Sequence, residues 1–228
     1  MPINLNPDDL IDNPSSRCAC MLVLDVSYSM VGSPIDELNL GVKQFINSVL
    51  EDDFASFSVD LGVITFGGSV QTVLPIKSIR EAKVPTLEVD GNTPMGEAVK
   101  QAVDDLNTRK QQYRSTGVSY YQPWIVLMSD GAPTDDYQTI AKQVKALANS
   151  KKLVVIAVGI GEKCNLSSLA AFCADDSYPK RLSGLKFSDF FTWLSQSMTE
   201  VITKSTPGIA YTVTKSTDGW EAVEEDDF

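Results

Sequence analysis

Asp25, Ser27 and Ser29 stand in the run Asp-Val-Ser-Tyr-Ser directly after the apolar stretch 18–24, and Thr93 (GNTPMG) and Asp130 (LMSDGAPTD) follow far downstream. Two carboxylates and three hydroxyls are hard oxygen donors, which suit Mg²⁺ first and Mn²⁺ or Ca²⁺ as alternatives, and suit zinc or copper poorly. Alternation along an extended chain turns Asp25, Ser27 and Ser29 to one side, so one short loop can present three oxygens. The expected chemistry is a divalent-cation site assembled from three separated loops.

Such loops need a rigid scaffold, and the chain alternates strand and helix patterns. Residues 18–24 (CACMLVL) form the first apolar strand. Ser33, Pro34 and Asp36 read as a helix start, with Ser33 as N-cap, Pro34 at N1 and Asp36 at N3, ahead of Leu38, Val42, Phe45, Ile46 and Val49 at helical spacing. Phe57 to Phe66 is the next strand, and Ser69 to Leu74 returns antiparallel beside it through the Gly67-Gly68 turn. Met95, Ala98, Val99, Ala102, Val103 and Leu106 mark one face of a helix with Thr93 at its entrance. WIVLMSD at 124–130 is a strand ending in an acid, followed by a helix of Ile140, Val144 and Leu147. LVVIAVGIG at 153–161 repeats the buried-strand signal before a helix containing Leu166, Leu169, Ala170 and Phe172. The fold class expected is α/β: a doubly wound, mainly parallel central sheet with one antiparallel edge strand and helices on both faces. Ligands of such sheets bind beyond the carboxyl ends of the strands at a topological switch, where Asp25 and Asp130 would lie.

Three regions follow from this pattern: an irregular, proline-bearing arm over 1–17, one main domain over 18–202, and an extension over 203–228 that ends in an acidic tail. Phe187, Phe190, Phe191, Trp193, Leu194, Met198 and Val201 form an aromatic-rich amphipathic helix that reads as packing on the sheet, with partner docking as the alternative. Beyond it, STPGIAYTVTKSTDGW reads as an extended segment that folds back.

Composition narrows the function classes. At 43% hydrophobic and 21% charged over 228 residues, the chain is neither disordered nor membrane-embedded. Its formal net charge of -11 opposes attraction to nucleic acid and anionic lipid. No apolar run approaches the roughly 20 residues needed to span a bilayer, and no export signal precedes the first strand, so a cytoplasmic location is expected. The four cysteines at 18, 20, 164 and 173 read as buried free thiols, with structural zinc as the less favoured alternative because paired CxxC spacing and histidine are both missing.

The combined pattern resembles the von Willebrand factor type A (VWA) family, in which DxSxS, a distant Thr and a distant Asp build a metal-ion-dependent adhesion site. The segments LDVSYSMVGSPIDELN, GNTPMGEAV, YYQPWIVLMSDGAPTD and LKFSDFFTWLSQSM are similar to bacterial TerY-like proteins of tellurium-resistance and phage-defence clusters. The resemblance implies direct ligation by Ser27 and Ser29, ligation by Thr93 directly or through water, and water-mediated support from Asp25 and Asp130. It also implies an open position that a partner's carboxylate or a phosphate could fill. Its context implies a cytoplasmic protein partner in a stress-response or defence complex that includes a kinase or phosphatase. Tyr28 stands where many family members carry glycine; with Gly91, Asn92 and Met95 it forms the expected partner-contact rim, and packing of Tyr28 on the neighbouring helix is the alternative.

Two other function classes stay open. A metal-dependent hydrolase or phosphoryl-transfer enzyme would need a base, and the chain has no histidine and no GxxxxGK[ST] loop. Glu97 and Asp135 read more simply as surface or capping acids, so no catalytic residue is assigned. A metal-independent scaffold is the other.

Overall fold

The computed structural model describes residues 8–162, 164–212 and 221–222. Along the chain these form α1 (Asp8–Ile11), β1 (Cys18–Asp25), α2 (Ser33–Glu51), α3 (Ala55–Ser58), β2 (Val59–Gly67), β3 (Ser69–Ser78), α4 (Met95–Thr116), β4 (Trp124–Ser129), α5 (Gln138–Asn149), β5 (Val154–Ile160), α6 (Leu166–Ala170), β6 (Lys180–Leu182), α7 (Phe187–Lys204) and β7 (Glu221–Ala222). Half of the segment expected to fold back (213–220), and the acidic tail beyond Ala222, lie outside the described residues.

The strands lie in the order β3-β2-β1-β4-β5-β6-β7. β2, β1, β4, β5 and β6 are parallel, and β3 pairs antiparallel with β2 at one edge as expected. The two-residue β7 pairs antiparallel with β6 at the other edge, inside the stretch that the sequence marks only as an acidic tail. Period-two geometry sends alternate β1 side chains to opposite faces. Cys18, Cys20, Leu22 and Leu24 enter a core with α2 and α7, whereas Ala19, Met21 and Val23 enter a second core with α4, α5 and α6. A strand that is apolar on both faces must be covered twice, which is why helices lie on both sides. After β1 the chain builds β2 on one flank and later returns to place β4 on the other, so the switch point lies between β1 and β4.

Several local expectations change. Ser33 is the first residue of α2 and makes no capping bond; Gly32, at φ +87°, holds the cap position because a turn over Tyr28–Met30 carries the chain further before the helix starts. Phe57 lies in α3 and not in a strand: the Asp52 carboxylate accepts the N–H groups of Phe54 (2.9 Å) and Ala55 (2.7 Å) and so nucleates a helical turn ahead of β2. Phe172 falls beyond the end of α6 and stays buried, its ring 6.0 Å from that of Tyr137. Within the arm, α1 buries Leu10 in the α4 core.

A charged cluster at the amino end of the sheet had no signal in the hydrophobic pattern. Asp60, on β2, is fully buried and pairs with Arg17 (3.2 Å) and Arg109 (2.7 Å). Tyr113 donates its hydroxyl to Asp60 Oδ2 at 2.6 Å, and burial, then the Asp60 charge, push this phenol well above its usual range. One carboxylate thus joins the N-terminal arm, β2 and α4.

Candidate metal centre

β1 ends at Asp25, beside Phe66 of β2. The next residue, Val26, donates its N–H to Phe66 O (3.0 Å) and accepts from Asp90 N (2.8 Å), fixing where the loop begins. Ser27 is extended (φ -63°, ψ 169°), and Tyr28–Met30 then close a single 3-10 turn in which Met30 N–H donates to Ser27 O at 2.9 Å. Met30 is buried and anchors that turn. Ser29 therefore returns to Ser27 through a helical turn, not through the strand alternation expected, and the two hydroxyl oxygens stand 3.1 Å apart.

The second loop leaves β4. Ser29 Oγ donates to Asp130 Oδ1 at 2.8 Å, which closes contact between residues 101 positions apart. Asp25 sits deeper and is fully buried; its Oδ1 accepts Ser27 N–H (2.8 Å) and its Oδ2 accepts the Ser129 hydroxyl (2.5 Å). Thr93, in the third loop, donates its N–H to Thr134 Oγ1 (3.2 Å) and accepts Thr134 N–H at its carbonyl (2.9 Å). A Cβ on Gly131 would stand 3.7 Å from Thr93 Oγ1, so this hydroxyl lies against the residue next to Asp130. All five residues singled out by spacing thus converge at the carboxyl ends of β1 and β4.

Burial pushes the Asp25 carboxyl above its usual range; hydrogen bonds from Ser129 and Ser27 oppose the shift and the neighbouring Asp130 charge reinforces it. Two acids and three hydroxyls in one cleft fit a hard cation, whose charge would relieve that desolvation. Among the described residues no group of three or more His, Cys, Asp or Glu side chains gathers anywhere to hold a metal, and here only two acids meet, so the hydroxyls must complete the donor set. Ser27, Ser29 and Thr93 would hold the ion, with Asp25 and Asp130 behind them.

The expected rim needs correction. Tyr28 is 67% exposed, so it does not pack on the neighbouring helix, and Asn92 is exposed. Met95 is fully buried in the α4 core and cannot meet a partner. Gly91 is a packing residue: its carbonyl accepts Tyr28 N–H (3.1 Å), its φ is +47°, and a Cβ there would stand 2.2 Å from Gly68 Cα. Gly91→Ala is expected to displace the Thr93 loop and weaken Mn²⁺ binding about tenfold, because backbone cannot yield as a side-chain tip does. Calorimetric titration of the variant against the parent checks this; equal affinity would refute it.

Spacing did not reveal Ser129 or Thr134, whereas Asp135, read as a surface or capping acid, does cap a helix. Asp135 accepts Gly96 N–H (3.0 Å) and Glu97 N–H (2.8 Å), capping α4 from the Asp130 loop. SDGAPTD carried a signal for these, since it is dense in residues that bond to backbone, but such loops are common.

The four cysteines are free; Cys18, Cys20 and Cys173 are buried and Cys164 is half-buried. Burial pushes Cys18 and Cys173 up to about 12, and Cys20 well above the usual range. Burial raises the Cys164 thiol too, opposed by Arg181, but Cys164 alone is partly exposed, so native protein at pH 8 is expected to react with a maleimide at Cys164 alone, and at all four cysteines after unfolding. Mass spectrometry of the labelled chain reads the result.

A family model for the von Willebrand factor type A domain matches residues 20–191. The chain belongs to the VWA domain family. No sequence among curated proteins matches it significantly. This VWA domain is similar in fold to proximal thread matrix protein 1 from the mussel byssus, in a structure with a zinc-occupied MIDAS motif: TM-score 0.56, 16% identity, covering 83% of this chain and 46% of that one. It is similar also to the manganese-loaded TRAP protein of Plasmodium vivax (TM-score 0.51, 19% identity, 76% of this chain and 71% of that one). The pilus adhesin SpaC of Lactobacillus rhamnosus GG gives a TM-score of 0.66 at 12% identity over 82% of this chain and 31% of that one. The chain thus spans about half the length of the mussel protein and a third of the adhesin.

Proposed function

We propose that this VWA domain is a cation-dependent protein-interaction module without catalytic activity. The carrying observation is the Ser27-Ser29-Asp130 hydrogen-bonded chain (3.1 and 2.8 Å), backed by the buried Asp25. The zinc-occupied MIDAS motif of the mussel protein and the manganese loading of the Plasmodium protein support a divalent ion here, and the oxygen-only donor set favours Mg²⁺. Bound there, the ion supplies positive charge on a protein of net charge -11, where a partner's Asp or Glu would otherwise be repelled. Exposed Tyr28 and Val31, at 67% and 64%, flank the serines and supply apolar contact around that acid.

The finer setting is part of the same reading. Likeness of the four motif segments to TerY-like proteins supports a cytoplasmic scaffold in a tellurite-resistance, stress-response or phage-defence complex that includes a kinase or phosphatase. No helix among the described residues is long and apolar enough to cross a membrane.

Affinity capture from native lysate in Mg²⁺ or EDTA, with parent and Asp25→Ala protein, identifies the partner; titration of that partner under the same conditions tests the reading. Binding should require both the ion and Asp25. Unchanged affinity throughout would favour a metal-independent scaffold, and turnover that follows the ion would favour an enzyme.

A further inference from the structure

At the amino ends of β4 and β5, opposite the metal loops, a groove of about 460 Å³ is lined by Lys110, Arg114, Lys151 and Lys152 and, among the described residues, by no acid. Its floor includes Tyr120, Tyr121 and Pro123. In a chain with 30 acidic against 19 basic residues, four cations around one groove that no described acid lines is a departure that demands an explanation. Cations near the last turns of α4 and α5 complement the helix dipoles, which accounts for their presence but not for their convergence between two helices. Lys151 pairs with Asp176 at 2.9 Å. Lys110, Arg114 and Lys152 form no ion pair with any described residue; Arg114 Nε donates to Tyr120 OH at 3.1 Å, which orients the guanidinium and leaves its terminal nitrogens without partners among the described residues. Three like charges held together repel one another unless an anion sits among them.

We propose that this groove binds a phosphomonoester. A phosphate dianion matches several cations with three acceptor oxygens, and a planar guanidinium contacts it in bidentate fashion; a single carboxylate would neutralise less of the site. The net charge of -11 decides the scale of the ligand. An extended polyanion such as nucleic acid or an anionic membrane would meet repulsion everywhere outside the groove, whereas an isolated phosphate, on a small molecule or on one protein side chain, meets only its cations.

The test uses the full chain in EDTA, so that no ion at the metal loops can recruit phosphate. Inorganic phosphate and a phosphoserine peptide are titrated at constant ionic strength and followed by backbone amide shifts. The expected result is shifts at residues 110, 114, 119, 120 and 152, with affinity at least tenfold lower in Lys110→Ala, Lys152→Ala protein of unchanged melting temperature. Binding should also weaken below about pH 6, where the dianion protonates. Tighter binding of the peptide than of inorganic phosphate assigns the ligand to a protein side chain; the reverse assigns it to a small phosphomonoester. Absence of shifts at these residues, equal affinity in the double variant, or double-variant-sensitive retention on duplex DNA or phosphatidylserine vesicles would overturn the proposal.

Discussion

Asp60→Ala is expected to lower the free energy of unfolding by about 3–5 kcal/mol, measured by urea titration, because it strands two buried guanidinium groups and a phenol without their shared acceptor. Arg17, Arg109 and Tyr113 are all essentially fully buried, so solvent cannot replace the lost carboxylate. Against a typical stability of about 5–15 kcal/mol, the variant stands at the edge of folding. Tyr113→Phe keeps both ion pairs and deletes one hydrogen bond to a charged group, so a loss of about 1.5–3 kcal/mol is expected. A loss in Asp60→Ala no larger than in Tyr113→Phe would show that the arginines find other partners.

The paired change Asp25→Asn, Asp130→Asn is expected to reduce Mn²⁺ affinity by about 100-fold or more while leaving the melting temperature within about 4 °C of the parent. An Asn at position 25 can still accept Ser27 N–H and exchange a hydrogen bond with Ser129, so the loop's geometry survives. What disappears is the negative charge beneath the hydroxyls. Calorimetric titration of both proteins measures the ratio; equal Mn²⁺ and Mg²⁺ affinities in a folded double variant would sink the metal assignment.

The apolar runs now seen as β1, β4 and β5, together with the loop residues at their carboxyl ends, were legible because a doubly covered strand must be apolar throughout and its ligand loop must break that pattern abruptly. The Asp60 cluster was not. Its members come from three separate stretches of sequence, and a single acid in an apolar strand gives no sign of which arginines will reach it. β6 was also hidden, since Lys180–Leu182 has three residues, two of them basic, and owes its place to pairing with β5. Met95 was misassigned because proximity to Thr93 in sequence suggested the surface, whereas the first turn of α4 points it into the core. The Ser29 position was reached for the wrong reason: a tight turn achieves what alternation was expected to do.

The mutual backbone and hydroxyl bonds between Thr93 and Thr134 splice two ligand-bearing loops into one body through contacts that need no cation. Fixing a free loop costs about 1–2 kcal/mol per residue, and here that ordering accompanies folding instead of ion capture. The centre is preorganised, so loosening either loop weakens ion affinity even where no ligand is touched. By the same linkage, saturating ion raises the melting temperature, and at 100 times its dissociation constant the gain is about 2.7 kcal/mol. Thr134→Val, which keeps the shape but removes the hydroxyl acceptor for Thr93 N–H, would expose this coupling as a smaller thermal shift on adding Mn²⁺.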